Sequence, residues 1–221
     1  MENQQEFDWQ MARSQVYGLL SQFLTEQPSE QHLDHLIDPE TIELVEAMFD
    51  DRHIGDTFRE MAALYSNGTL SADQVSLDFE SLMRVPGPAY THPYESCYRD
   101  RIDKNGSQHW GNILGRHAFE AEQCYQSDGL SPRYDKVDFP DHIGAELAYM
   151  AQLCELEADA LAEGERETAS GIRQKQQIFA ENHLFQWALE FSTDLSARST
   201  TPFFRGVAEM LQAFIRMEKA N

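Results

Sequence analysis

From Phe7 to Leu24 the apolar residues Trp9, Ala12, Val16, Leu19, Leu20 and Phe23 recur at three- and four-residue steps. That is the spacing of one face of an α-helix. Pro28-Ser29 opens a short helix carrying Leu33, Leu36 and Ile37. Pro39 stands where a first helical turn accepts proline, and Ile42, Leu44, Val45, Met48 and Phe49 continue the period. Phe58, Met61, Ala62 and Tyr65 mark a further helix that stops near Asn67-Gly68. Ser71 and Gln74 have capping-box spacing, so another helix begins there with Val75, Phe79, Leu82 and Met83 on its apolar side. It ends at Pro86-Gly87-Pro88. With Pro93, three prolines and one glycine fall within residues 86–93, which predicts a shaped loop.

Helical patterning resumes from Gln108 to Tyr125. Asp128–Asp138 is a polar connection holding Gly129 and Pro132. A long helix begins near Asp141, its natural N-cap, and carries Ile143, Leu147, Met150, Cys154 and Leu161 as far as a break at Gly164. Ile172 through Phe191 repeats the period with Ile178, Phe179, Leu184 and Trp187. Thr201-Pro202 caps and opens a last helix with Phe203, Phe204, Val207, Met210, Leu211, Phe214 and Ile215. No segment sustains a period of two. The expected class is all-α, a multi-helix bundle without a sheet. The chain reads as one domain over 1–221, with subdomains 1–127 and 139–221 joined by a polar hinge at 128–138. Such a hinge allows the C-terminal helices to exchange between chains, giving a swapped dimer beside a monomer.

Charge changes the picture most. Asp and Glu number 38 against 17 Lys and Arg, a net charge of -21. A surface this negative repels phosphates, which excludes nucleic acid as the expected partner, and it attracts basic peptides. The same excess also serves solubility alone. Hydrophobic residues make up 41%, enough for a substantial core. The cysteines Cys97, Cys124 and Cys154 are odd in number and form no C-x-x-C pair, as suits free thiols in a reducing cytoplasm. The acidic, polar start lacks the features of a secretion signal, and no run of about 18 apolar residues predicts a membrane span.

Enzyme motifs are absent: no P-loop, no dinucleotide-binding glycine pattern, no G-x-S-x-G and no H-E-x-x-H. The nearest approach to a di-iron E-x-x-H pair is Asp50-Asp51-Arg52-His53, a single match, so no metal is expected. Two clusters remain. The first runs from Asp78-Phe79 through Leu82-Met83 and Pro86-Gly87 to Pro93-Tyr94-Glu95-Ser96-Cys97-Tyr98. Its plain reading is architecture, with prolines setting a turn and aromatics filling the core. The second is Pro140-Asp141-His142-Ile143-Gly144-Ala145-Glu146. There Asp141 reads as a helix cap and His142 as a first-turn residue. Alternatively, a carboxylate and an imidazole at a helix start hold an Arg or a backbone group of a peptide.

Together the two clusters resemble the TorD/DmsD family of redox-enzyme maturation chaperones, relatives of the NarJ group. Those proteins show an acidic-aromatic pair, two spacers, Leu-Phe, Pro-Gly, and then Pro-aromatic-Glu-Ser-x-Tyr; their second motif is Pro-Asp-His, a hydrophobic residue, Gly, a spacer and Glu. The second motif is met at each place. In the first, Met83 replaces the usual Phe, Val85 stands where Gly is common, and the stretch from Gly87 to Pro93 is short. The segments Ala12–Ser21 and His183–Trp187 also look like family helices.

The resemblance implies a cytoplasmic, non-enzymatic chaperone. Its partner would be the twin-arginine signal peptide and apo-form of a molybdopterin-dependent oxidoreductase, with export delayed until the cofactor is inserted. It brings guanine nucleotide only as a weak ligand, for which no motif is present, and no stably bound cofactor. Two guanidinium groups suit an acidic receptor, because carboxylates take Arg in bidentate fashion. The expected peptide-binding residues are Phe79, Leu82, Met83, Pro86, Tyr94, Glu95, Ser96, Tyr98, Asp141, His142 and Glu146. Among these, Asp141 and Glu95 would meet guanidinium, His142 peptide backbone, and Tyr94 and Met83 the apolar stretch. The competing classes are a helical regulatory adaptor without a redox client and a small hydrolase built on Asp141, His142 and Glu146.

Overall fold

The computed structural model describes residues 2–49, 52–104 and 107–220; Asp50 and Asp51 of the lone di-iron-like match lie outside them. The described helices, in chain order, are α1 (Glu2–Thr25), α2 (Glu30–Leu36), α3 (Pro39–Phe49), α4 (Arg52–Ser66), α5 (Ala72–Phe79), α6 (Glu95–Arg99), α7 (Arg116–Ser127), α8 (Ile143–Ala162), α9 (Arg166–Asn182), α10 (Leu184–Arg198) and α11 (Pro202–Ala220). The class is all-α, as the periodicity predicts. The exception is a two-stranded antiparallel hairpin of β1 (Ile102–Lys104) and β2 (Ser107–His109), in which Ile102 pairs with His109.

The chain folds as two compact units, Met1–Thr25 with Pro93–Trp187, and Glu26–His92 with Ala188–Asn221. This division differs from the expected one at 128–138, which lies inside the first unit. That connection is tied down rather than free. Asp128 accepts hydrogen bonds from Tyr149 and Lys175, Tyr134 donates to Glu122 at 2.9 Å, and Val137 is buried.

In the first unit α1 lies along α8, and α8 along α9. α1 buries Val16, Tyr17, Leu20, Phe23 and Leu24; α8 buries Ile143, Leu147, Met150, Leu153 and Cys154. Gly144 sets how closely the two can approach. A Cβ there would stand 2.1 Å from Thr25 Cγ2, and the Ser21 hydroxyl donates to the Gly144 carbonyl at 2.7 Å. In the second unit α11 packs on α3, α4 and α5 and buries its whole aromatic series, Phe203, Phe204 and Phe214. The Ser71–Gln74 capping box forms as the spacing predicts, with bonds of 3.3 and 2.8 Å.

Three expectations are corrected. The helix predicted from Gln108 begins only at Arg116, because Gly111 and Gly115 bring the chain against α6 first. A Cβ on Gly111 would sit 2.2 Å from the Ser96 carbonyl oxygen, so that approach needs glycine. The period from Ile172 to Phe191 is interrupted at His183, which leaves the helical region with φ -121° and ψ -88° and separates α9 from α10. Trp9 and Ile178, placed on apolar stripes, are 39% and 50% exposed. No helix among the described residues is long and apolar enough to cross a membrane.

Candidate functional site

The first cluster begins in the second unit, at the end of α5. Asp78 is buried there and clamps the turn that precedes α11. Its carboxylate accepts from the backbone N–H groups of Thr200 and Thr201, at 3.1 and 2.9 Å, and from both threonine hydroxyls, at 2.9 and 2.7 Å. Phe79 stacks on Phe204, with ring centroids 6.1 Å apart. After Phe79 the backbone widens into a π-turn, Glu80–Arg84, closed by the Val85 N–H donating to the Glu80 carbonyl at 2.8 Å. Leu82 and Met83 point into the core from that turn. The Leu82 carbonyl, freed by the wider ring, accepts from Thr91 N and Thr91 Oγ1 at 2.9 and 2.7 Å. Pro86 is exposed.

The rest of the first cluster and all of the second meet in the first unit. Tyr94 and His142 form an antiparallel bridge. The Glu95 N–H donates to the Asp141 carbonyl at 2.9 Å, and the Ile143 N–H to the Pro93 carbonyl at 3.0 Å. Asp141 Oδ2 accepts from the Ser96 N–H at 2.9 Å. Asp141 therefore caps α6, which has no side-chain cap of its own, rather than α8. The cap of α8 is His142, whose Nδ1 accepts from the Gly144 N–H at 3.1 Å. The Tyr94 ring meets Phe139 and His142 edge-on at 5.6 and 5.4 Å.

Below this junction lies a buried ionic cluster. Glu95 is fully buried and pairs with Arg99 and with His183 Nδ1, the latter at 2.8 Å. Arg99 also donates to the Asn182 carbonyl at 2.7 Å. Burial opposes the charge on His183, but hydrogen bonds to Cys124 and Glu95 outweigh it and raise the imidazole to about 9. Burial and the nearby Glu95 push Glu146 well above the usual carboxylate range. Both influences favour the neutral form of Glu146. Its Oε2 accepts from Trp187 Nε1 at 3.1 Å, while Oε1 is buried with no aligned partner. Burial also raises Asp141, with the Ser96 hydrogen bonding pulling the other way. Ser96 Oγ faces Asp141 without the alignment of a hydrogen bond, and Asp141 Oδ1 has no aligned donor. Tyr98 packs on Trp110 and Trp187 at 5.0 and 5.4 Å. Among the described residues no group of three or more His, Cys, Asp or Glu is arranged to hold a metal.

The sequence model of the nitrate reductase delta subunit family matches residues 50–193. This chain belongs to that family, the NarJ and TorD group of redox-enzyme maturation chaperones. The chaperone protein TorD of Shewanella loihica is 22% identical over 94% of this chain and 91% of its own length. A crystal structure of a redox enzyme maturation protein from Archaeoglobus fulgidus superposes with a TM-score of 0.51 at 20% identity, over 94% of this chain and 93% of that one. That likeness supports the shared fold.

Within this delta-subunit fold the two motif segments that carried the resemblance are hydrogen-bonded neighbours at Pro93–Tyr98 and Pro140–Glu146. Phe79, Leu82, Met83 and Pro86 belong to the other unit. Of the expected binding residues, Pro86 alone is exposed; Tyr94, Glu95, Ser96, Tyr98, Asp141, His142 and Glu146 are all buried. Three partners of the cluster, Arg99, His183 and Trp187, were not among the expected residues. His183 and Trp187 do sit in the segment His183–Trp187 that resembles a family helix, and that resemblance is the signal that finds them. The partners of Asp78 are marked by the hydroxyl run Ser199-Thr200-Thr201.

Proposed function

We propose that this chain is a cytoplasmic chaperone for a molybdopterin-dependent oxidoreductase, binding its twin-arginine signal peptide and apo-form, assisting cofactor insertion and delaying export. The observation that carries the reading is the junction of the two family motifs, where Asp141 Oδ1 is a buried carboxylate oxygen with no aligned donor. A guanidinium supplies such donors in a planar fork. Because Asp141 is fully buried, a peptide reaches it only when the junction opens. Opening breaks the Asp141–Ser96 bond together with the two backbone bonds that pair Pro93 and Glu95 with Ile143 and Asp141. The net charge of -21 draws a basic signal to the chain. A relative named as a chaperone and the absence of an enzyme motif favour stoichiometric binding over turnover.

The test is calorimetry of the full chain with a synthetic twin-arginine peptide and with the same peptide carrying Lys-Lys. One-to-one binding that prefers the arginine pair is expected. Asp141→Asn keeps the cap on α6 but removes the charge. It should weaken binding about ten- to hundredfold, the worth of one charge-assisted bond, in a protein that melts as the parent does. Undetectable binding of the parent overturns the signal-peptide reading. Full affinity in Asp141→Asn overturns the role of the junction.

A further inference from the structure

The segment that joins β2 to α7 carries no charged residue from Trp110 to Gly115, in a chain whose net charge is -21. It lies against α6. The Gly111 N–H donates to the Cys97 carbonyl at 3.0 Å, and a Cβ on Gly115 would stand 2.9 Å from the Ser96 side chain and 3.1 Å from Asp100 Oδ2. Between these two glycines Ile113 and Leu114 are 46% and 45% exposed. Leu114 takes a left-handed backbone, with φ at 59°, which a leucine side chain disfavours. The fold thus holds a strained residue there and leaves its apolar side chain in water, which is a mark of function rather than of packing.

Phe119 extends the same surface. Gly115 is the N-cap of α7, so Leu114 precedes the cap and Phe119 is the fourth helical residue. Side chains at those two positions meet across the first turn of a helix. Such a pair normally shields both members, yet Phe119 is 54% exposed. Ile113, Leu114 and Phe119 therefore make one outward apolar surface on a rigid turn.

This surface adjoins the junction of the two motifs. Ser96, against which Gly115 rests, gives its N–H to Asp141 Oδ2, and Oδ1 of that carboxylate is the oxygen without an aligned donor. The exposed Asp100 lies at the same contact. Carboxylates thus stand on the α6 side of an uncharged apolar surface, an arrangement complementary to a ligand that is cationic at one end and apolar beyond it. A second copy of this chain suits it poorly, because two bodies of charge -21 repel each other. Tyr94 and Met83, the side chains expected to receive an apolar stretch, are both buried.

We propose that Ile113, Leu114 and Phe119 form the docking surface for the apolar stretch that accompanies the arginine pair of the signal peptide. The inference rests on the proposed function and adds a second contact region to it. Arginine is held at Asp141, and the apolar stretch lies on the start of α7, where the junction need not open to receive it.

The test is a cycle of two peptides and two proteins, read by calorimetry. One peptide carries the arginine pair and its apolar stretch; in the other the apolar residues are serine. The proteins are the parent chain and Leu114→Asn/Phe119→Gln. Asparagine enters the left-handed region more readily than leucine, and glutamine is a good helix former, so the variant should melt no lower than the parent. The parent should bind the serine peptide about tenfold more weakly than the apolar one. The variant should lose about tenfold for the apolar peptide and nothing for the serine peptide. If Leu114→Asn reshapes the turn, Phe119→Gln alone should lose about threefold with the same selectivity. Unchanged affinity of the variants for the apolar peptide overturns the inference while the proposed function stands. Equal loss for both peptides overturns it as well, by tracing the effect to Asp141. A dimer of the parent that the double variant abolishes, with peptide affinity unchanged, assigns the surface to a second copy instead. Failure of the parent to bind either peptide overturns the proposed function and this inference with it.

Discussion

Asp78 and Asp141 are both buried aspartates beside a helix start contributed by a distant part of the chain, yet they are satisfied to very different degrees. Asp78 accepts from two backbone N–H groups and two hydroxyls of Thr200 and Thr201. Asp141 accepts one aligned side-chain hydrogen bond, from the Ser96 N–H, and sits above two further carboxyl groups, Glu95 and Glu146. A buried carboxylate surrounded by donors strengthens its surroundings, because every lone pair that left water is paired again. One left short of donors carries part of its desolvation uncompensated. The first arrangement is that of a structural clamp. The second is an arrangement that a donor from outside would complete, as the proposed function requires.

The largest effect should come from breaking the clamp. Asp78→Ala leaves the Thr200 and Thr201 N–H groups and the buried Thr201 hydroxyl without their acceptor, and it should cost about 3–5 kcal/mol. The two units can be followed separately, since Trp9, Trp110 and Trp187 all lie in the first. Circular dichroism should show an early loss of helix while tryptophan emission reports a later transition. A single transition at the parent temperature in both signals would show that the clamp contributes little.

The next effect is one of pH and belongs to the other region. His183 has its folded value raised from 6.5 to about 9, so the native state binds more protons than the unfolded chain across that interval. Its contribution is complete below pH 6.5 and is lost as pH rises to 9. Glu146 acts in the same direction, because a carboxyl raised by burial makes ionisation above about 4.5 increasingly unfavourable to the fold. Between pH 6.5 and 9 the first unit should lose about 2 kcal/mol, read as a falling urea midpoint in tryptophan emission. His183→Gln should be less stable at pH 6.5 and show a flatter dependence. An equally steep fall in that variant would assign the pH response to other groups.

The two regions also differ in how far the amino-acid sequence foretells them. Helix existence is written in the three- and four-residue recurrence of apolar positions, and the Ser71–Gln74 box marks its helix start to the residue, because both effects are local. The pairing of Pro93–Tyr98 with Pro140–Glu146 was legible as two motifs each set beside a proline. Which aspartate caps which helix was not. Asp141 precedes α8 and has the residue type of its cap, but the bridge between Tyr94 and His142 turns its side chain onto α6 and leaves His142 to cap α8. Caps supplied across 45 residues, or across 122 in the case of Asp78 and Thr200, leave no periodic trace. Nor does burial of the carboxylates: an acidic residue beside a loop reads as surface until its partners Arg99, His183 and Trp187 are known. The break at His183 was hidden because the apolar period continues in phase on both sides of it.

The smallest effect separates a buried acid from a buried charge. Glu146 is as deeply buried as Glu95, at 0% exposure, and a formal charge there would be among the most destabilising features of the fold. Because burial and Glu95 favour its neutral form, Glu146→Gln should change stability by no more than about 1 kcal/mol at pH 7. Glutamine keeps a carbonyl to accept from Trp187 Nε1 and an amide to donate toward Glu95. The same variant has no proton to lose, so it should gain on the parent as the pH is raised toward 9. Urea titrations at pH 7 and 9 would follow the two proteins side by side. A loss of several kcal/mol at pH 7 would mean that Glu146 is ionised in the native protein. Asp141 would then face two buried negative charges rather than one, and the site would be more strained than the clamp by a wider margin than the neutral acid allows.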